Sequence, residues 1–112
     1  MDSSDIQQIE ANIKQSQKIV DLGESLERLR SNRDFKKVIL EGYFEQEAIR
    51  LVHLKADPNM QTQERQQSIL LQMDAIGSLN QYFNTLYMRA TMANKAIVSD
   101  EQMRDELLAE GV

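Results

Sequence analysis

The chain of 112 residues contains no cysteine, one proline and four glycines. Without cysteine, neither a disulfide framework nor a zinc or iron–sulfur site with thiolate ligands can form. The scarcity of proline and glycine disfavours a fold of short strands joined by tight turns. Gln, Glu, Ala, Leu, Met and Arg are abundant instead, and this composition is typical of helices. The composition therefore predicts an all-α protein.

The sequence also lacks a long apolar run. No segment approaches the roughly 18 consecutive apolar residues that a membrane span requires. The amino terminus, MDSSDIQQIEANIK, has no basic region followed by an apolar stretch, which disfavours a secretory signal. With 41% hydrophobic and 28% charged residues, the composition is that of a globular protein. We therefore predict one soluble domain, residues 1–112, with no membrane span.

Positive charge is in short supply, since the net charge is −5. Nonspecific affinity for nucleic acid comes chiefly from Lys and Arg that displace counterions from phosphates, so the balance disfavours direct nucleic-acid binding. Most of the acidity lies near the carboxyl terminus, where residues 99–112 contain five acidic side chains and one basic one.

Polar residues mark four helix starts. Capping boxes, in which side chains three residues apart satisfy free backbone N–H groups, begin at Ser4, Ser31 and Ser99. Thr62 can cap another helix, and Pro58 ends the helix before it. We therefore predict an all-α helical bundle of three long helices and a short acidic, movable C-terminal helix, over residues 4–30, 33–57, 62–98 and 99–110.

The second predicted helix is apolar on most of its circumference. One stripe contains Phe35, Val38, Ile39, Gly42, Ile49, Val52 and Ala56, and another contains Leu40, Phe44, Leu51 and Leu54. A helix that is apolar on most sides belongs in the centre of a bundle, so we predict that 33–57 is the central helix. Glycine destabilises a helix by roughly 1 kcal/mol relative to alanine. Gly42 therefore predicts close approach of a neighbouring helix, and Gly77 predicts the same, with a kink of the third helix as the alternative.

The third predicted helix has a coiled-coil spacing. Apolar and asparagine residues alternate at steps of four and three, at Ile69, Met73, Ile76, Asn80, Phe83, Tyr87, Ala90, Asn94 and Ile97. Buried asparagines at such positions set register or oligomeric state. In the alternative, which the wide stripes of globular bundles favour, Asn80 and Asn94 lie on the solvated edge of a stripe formed by Leu79, Phe83, Leu86, Ala90, Ala93 and Ile97.

The candidates for chemistry are few. His53 is the only histidine, and no serine or threonine lies within a turn of it, which favours a structural histidine over a catalytic base. Glu41 and Glu45, one turn apart, are more typical of a solvated face than of a metal site. The four glycines are isolated and form no phosphate-binding loop. We predict no enzymatic activity, no catalytic, metal or cofactor-binding residues, and no cofactor.

Other protein subunits are the predicted partners. The outer face of the third helix consists mainly of Gln, Asn, Ser and Thr rather than charged residues, which suits contact between subunits. Aromatic side chains dominate the energetics of such contacts. The interaction candidates, drawn from aromatic residues, seam asparagines and the apolar side of the C-terminal helix, are Tyr43, Asn80, Tyr82, Phe83, Tyr87, Asn94, Met103 and Leu107.

Two stretches, NRDFKKVILEGYFEQEAIRLVHLKADPNM and QQSILLQMDAIGSLNQYF, carry a resemblance. They resemble small uncharacterised all-helical proteins encoded among the structural and morphogenesis genes of tailed bacteriophages, over roughly residues 26 to 97. The shared elements include Asp34–Phe35, the Gly42–Phe44 triplet, Asp57–Pro58, 75–77 and 82–83. These are packing motifs, so the resemblance implies a shared architecture and a phage setting, with no catalytic residues.

The resulting functional prediction is a non-enzymatic module for protein–protein interaction. Together with the resemblance, it predicts a bacteriophage virion or virion-assembly component that contacts itself or phage structural proteins. Its expected location is the host cytoplasm during assembly, and the virion afterwards. The acidic segment 99–112 motivates an alternative, in which the chain is a small acidic phage inhibitor that occupies the basic groove of a host nucleic-acid enzyme.

Overall fold

The computed structural model describes residues 3–111, and within that range the chain forms helices and no strand. Three long helices follow one another: α1 (Ser3–Ser31), α2 (residues 33–56) and α3 (Gln63–Ala109). A short 3₁₀ turn, Pro58–Met60, lies between α2 and α3. The all-α prediction is confirmed.

The predicted fourth helix is not a separate element. Helix α3 continues without a break through Ser99 and ends only near Gly111, whose φ of 77° lies in the left-handed region that favours glycine. Leu107 is buried. A capping box starts a helix only where the preceding turn is broken, and the turn immediately before Ser99, residues 95–98, contains no glycine or proline. The acidic segment is therefore the last part of helix α3, and the prediction of a separate C-terminal helix was wrong.

Asn32 separates α1 from α2. Its backbone is extended, with φ −70° and ψ 129°, and its side-chain oxygen accepts a hydrogen bond from the N–H of Phe35 at 2.9 Å. The boundary lies where the sequence predicted it, but the cap is Asn32 rather than Ser31. Asparagine is among the strongest helix N-caps, which explains why Asn32 rather than Ser31 caps α2.

Side chains hold the turn between α2 and α3. The Asp57 carboxylate caps the 3₁₀ turn by accepting a hydrogen bond from the N–H of Asn59 at 2.8 Å. Gln61 donates to the carbonyl oxygens of Lys55 and Asp57, and Gln66 donates to those of Lys55 and Met60. Because the turn is short, α2 and the first part of α3 pack antiparallel as a helical hairpin.

Helix α2 is not uniform along its length. Its first turn, Arg33–Phe35, leads into a π-helical stretch, Lys36–Glu47, which is followed by ordinary α-helix over Ala48–Ala56. A π-helix has about 4.4 residues per turn, against about 3.6 in an α-helix. Residues four to five apart therefore share a face in the π-helical stretch, and this wider spacing decides which apolar side chains of α2 point inward.

The helices contribute to two compact units. The first unit comprises residues 1–26 and 85–112, and its buried side chains are Ile9, Leu26, Leu86, Ala93, Ile97 and Leu107. Gly23 of α1 lies directly against Ala90 of α3, where a methyl group on Gly23 would overlap the Ala90 Cβ. The close approach of two helices therefore occurs at Gly23.

The sequence had placed that close approach at Gly42 and Gly77, and both predictions were wrong. A Cβ at Gly42 would meet only the carbonyl oxygen of Lys37, at 3.1 Å, which belongs to the preceding turn of α2 itself. At Gly77 nothing lies within 4 Å of a built Cβ. Neither glycine faces a neighbouring helix, because α2 and α3 pack through other faces.

The second unit, residues 27–84, contains the α2–α3 hairpin. Its buried core is Leu51, Ile69 and Ile76, against which half-buried side chains pack, namely Tyr43, Phe44, Ala48, Leu54, Met60 and Met73. Only one of the two predicted apolar stripes of α2 lies in this core. Val38, Ile49 and Val52 of the other stripe are more than half exposed. Within this unit α2 is therefore packed on one face, which corrects the prediction of a helix covered on most sides.

Candidate interaction surface

An aromatic cluster fixes α2 on α3 in the second unit. The ring of Phe83 lies 5.9 Å from that of Phe35 and 5.8 Å from that of Phe44, measured between centroids. The planes of Phe44 and Phe83 meet at 64°, an edge-to-face arrangement that aromatic pairs prefer. The cluster therefore holds the first half of α2 in a defined position on α3.

Three of the predicted interaction candidates lie inside the packed helices. Tyr43 is half-buried against the core of the second unit. Phe83 is half-buried at the centre of the aromatic cluster, and Leu107 is buried in the first unit. In this structure their side chains pack within their own unit.

The other five candidates are exposed: Asn80, Tyr82, Tyr87, Asn94 and Met103. Along α3 the inward positions are taken by Leu79, Leu86 and Ala93, each one residue before the position that the strict heptad predicted. Asn80 and Asn94 therefore lie on the solvated edge of a wider apolar stripe of α3, which was the alternative to a register-setting role. Asn80 borders a shallow groove of the second unit together with Arg30, Leu40 and Phe44.

Six large aliphatic side chains are exposed in the second unit, namely Leu29, Val38, Ile49, Val52, Leu70 and Leu71, and three of these flank the contact between α2 and α3. Ile49 and Val52 on α2 are 57% and 53% exposed, and Leu70 on α3 is 46% exposed. Sequence reasoning assigned Ile49 and Val52 to the interior and did not single out Leu70. The run Ile69–Leu70–Leu71 was the available indication, because three consecutive large aliphatic residues cannot all face one side of a helix.

These three residues belong to one surface. Val52 directly follows Leu51, and Leu70 directly follows Ile69. Leu51 and Ile69 are the most buried side chains of the core. In an antiparallel helix pair, the residues that follow the two seam residues flank the same side of the contact. Ile49 stands three residues before Val52, one turn away on the same side of α2. We call Ile49, Val52 and Leu70 the aliphatic patch.

The surroundings of the aliphatic patch carry little net charge. Glu47 and Arg50 form a surface ion pair with each other beside Ile49. From Gln66 to Met88, Asp74 is the only charged residue of α3. The second unit as a whole contains eight acidic and eight basic residues, whereas the first contains ten and five. The net charge of −5 therefore resides in the first unit.

The residues considered for chemistry are dispersed over the surface. His53, Glu41 and Glu45 are all exposed. Within residues 3–111 no three His, Asp or Glu side chains gather closely enough to hold a metal ion. Over the same range, every buried side-chain nitrogen or oxygen has a hydrogen-bond partner.

No helix in the described part of the chain combines the length and the apolar character needed to cross a membrane. Comparison with models of known protein families, with curated proteins and with solved structures yielded no match to this chain.

Proposed function

We propose that this chain is a non-enzymatic protein–protein interaction module, and that the aliphatic patch is its contact surface. The observation that carries the proposal is the exposure of Ile49, Val52 and Leu70, three large aliphatic side chains that lie within two positions of Leu51 or Ile69, the most buried residues of the second unit. Single exposed aliphatic residues are ordinary, but a contiguous group is typical of a binding surface.

The energetics support this role. Complete burial of a Val, Leu or Ile side chain is worth about 1.5–3 kcal/mol. Because each residue of the aliphatic patch is already about half-buried, covering it gains about 1 kcal/mol per side chain. The three residues together, with the uncharged rim along α3, supply a binding core with a polar border.

For the biological setting we propose a bacteriophage virion or virion-assembly component. This part of the proposal rests on the resemblance over residues 26 to 97, a range that includes the whole aliphatic patch. Mass spectrometry of purified phage particles and of assembly intermediates tests the setting. Recovery of the chain from either sample supports it, and absence from both contradicts it.

The contact surface is tested with a matched pair of double variants. Val52→Lys with Leu70→Lys places two charges in the aliphatic patch. Val38→Lys with Met88→Lys adds the same charge at two other exposed positions, one on α2 and one on α3, which are 63% and 62% exposed. Lysine is a better helix former than valine and about as good as leucine and methionine, so the helices tolerate these changes.

The tagged full-length chain and both variants are cross-linked in the cells that naturally produce the protein, and the attached proteins are identified. We expect a defined cross-linked species, either with another protein or with a second copy, for the unchanged chain and for Val38→Lys with Met88→Lys. The same species is lost from Val52→Lys with Leu70→Lys. Identical products from all three chains contradict the assignment of the contact surface.

A further inference from the structure

We infer that a basic groove at the start of α2, lined by Arg33, Lys36 and Lys37, binds the acidic end of α3, residues 100–110, in a second copy of this chain. The contact is electrostatic and does not involve the aliphatic patch, so it goes beyond the proposed function. Three properties of the molecule support it: the concentration of positive charge at the groove, the exposure of the acidic end, and the charge that each helix end prefers.

The basic groove lies where α1 passes into α2. Ser31 and Glu41 line it together with Arg33, Lys36 and Lys37, and its volume is about 420 Å³. All five side chains are exposed, and within residues 3–111 none of the three basic ones forms an ion pair. Five of the eight basic residues of the second unit lie at positions 28–37. Positive charge is therefore concentrated at the groove, although the unit as a whole is neutral.

The acidic end of α3 has the complementary charge. Residues 100–110 contain five acidic side chains and one basic one, a net charge of −4, whereas positions 28–37 contain five basic side chains and one acidic one, a net charge of +4. Glu101, Glu106 and Glu110 are exposed, while Leu107 between them is buried. The helix thus packs through its apolar side and leaves its carboxylates at the surface, where another molecule can reach them.

Neither group of charges suits its own helix end. The amino-terminal end of a helix carries partial positive charge and its carboxyl-terminal end partial negative charge. Lys36 and Lys37 nevertheless stand near the start of α2, and Glu106 and Glu110 stand at the end of α3. Like charges one turn apart, such as Glu106 and Glu110, also repel each other. Opposite charge from another molecule would relieve both repulsions.

Charge complementarity identifies a second copy as the occupant of the groove. Two segments of equal and opposite charge steer each other into contact, and this chain presents one of each. Because the groove and the acidic end are different surfaces, the contact is heterologous: each copy uses its groove for one neighbour and its acidic end for another. Association therefore continues beyond two copies unless a ring closes.

A pair of charge reversals tests the contact. Lys36→Glu with Lys37→Glu makes the groove acidic, and Glu106→Lys with Glu110→Lys makes the end of α3 basic. Each reversal places near a helix end the charge that this end prefers, so both variants should fold. Circular dichroism of the purified full-length chains establishes that they do. Lys36→Gln with Lys37→Gln, which removes the charge without reversing it, serves as a milder second variant of the groove.

Light scattering measures association over a roughly hundredfold range of concentration up to about 1 mM, because exposed ion pairs are individually weak. We expect the unchanged chain to associate in about 0.05 M NaCl, with a Kd that rises at least about tenfold in about 0.5 M NaCl, since salt screens exposed charges. Each charge-reversed variant alone should lose this salt-sensitive association. Their equimolar mixture should regain it, because the acidic groove of one variant meets the basic end of the other and the two unchanged surfaces also match.

Lys18→Glu with Lys55→Glu is the control for net charge. It changes the net charge as much as Lys36→Glu with Lys37→Glu does, at two exposed positions outside the groove. It should leave the Kd within about threefold of that of the unchanged chain.

Recovery of association in the mixture supports the inference. A chain that stays monomeric at every concentration overturns it, and retention of a short DNA duplex through Lys36 and Lys37 would then identify nucleic acid as the occupant of the groove. Association that the reversals do not change, or a mixture that stays monomeric, also overturns it. None of these variants alters Ile49, Val52 or Leu70, so a failure here leaves the proposed function to its own cross-linking test.

Discussion

The rings of Phe35 and Phe44 lie on the same face of α2, although nine positions separate them, and both contact Phe83. In an α-helix nine residues make about two and a half turns, which would place the two rings on opposite faces. In a π-helix nine residues make about two turns. The π-helical stretch Lys36–Glu47 therefore allows a single aromatic residue of α3 to hold both.

This relationship predicts that Phe83 contributes strongly to stability. Phe83→Ala removes both ring contacts and leaves a gap between α2 and α3. Because Phe83 is half-buried, we expect a loss of about 2–3 kcal/mol in the free energy of unfolding, below the range for fully buried phenylalanines. Urea unfolding followed by circular dichroism measures it.

The neighbouring Tyr82 provides the control for this prediction. It is 54% exposed, so Tyr82→Ala should lower the free energy of unfolding by less than about 1 kcal/mol. Equal losses at the two positions would show that the aromatic cluster does not hold the hairpin together.

A second prediction concerns the contact of Gly23 with Ala90. Gly23→Ala introduces a methyl group that overlaps the Ala90 Cβ, and overpacking of this kind lowers stability by about 1–3 kcal/mol. The better helix propensity of alanine recovers about 1 kcal/mol. We expect a net loss of about 1 kcal/mol in thermal or urea unfolding.

Two further variants test the cause of that loss. Gly77→Ala makes the same substitution where nothing lies within 4 Å, so it should raise stability by about 1 kcal/mol. In Gly23→Ala with Ala90→Gly the space is restored, and the double variant should be more stable than the sum of the single effects predicts. Strict additivity would show that the two positions do not touch.

A third prediction distinguishes a true helix cap from an apparent one. Asn32 caps α2 through its side chain, so Asn32→Ala should lower the free energy of unfolding by about 1 kcal/mol. Ser99 lies inside α3, where alanine is the better helix former, so Ser99→Ala should leave stability unchanged or raise it by about 0.5 kcal/mol. A loss at Ser99 as large as that at Asn32 would mean that a helix begins there.

Local patterns made most helix ends predictable. Thr62 caps α3, with its hydroxyl accepting a hydrogen bond from the N–H of Arg65 at 3.3 Å, and Pro58 ends α2 as expected. These features depend on a few adjacent residues, whose conformational preferences act over one turn. The false helix start at Ser99 has the same origin, because a capping pattern by itself does not show whether the helix before it stops.

The candidate site was harder to predict. Ile49, Val52 and Phe44 all belong to apolar stripes of α2. A period of about 3.6 residues assigns them to two different faces of the helix, and both faces are apolar enough to be buried. Only the wider turns of Lys36–Glu47 decide that Phe44 packs inward with Phe35. Leu70 lies beside the buried Ile69, and it is exposed because Ile69, the residue before it, is the one that packs in the core with Leu51.

By itself the sequence determined that this chain is helical, where its helices α1 and α2 end, and that residues 99–112 form an acidic segment. These properties follow from composition and from preferences that act within a turn. The tertiary structure decided which stripe of α2 is buried, that α3 is continuous, and that helices meet at Gly23 rather than Gly42. These features depend on contacts between residues far apart in the chain. Where a helix has two equally apolar faces, the sequence pattern does not show which face packs against another helix.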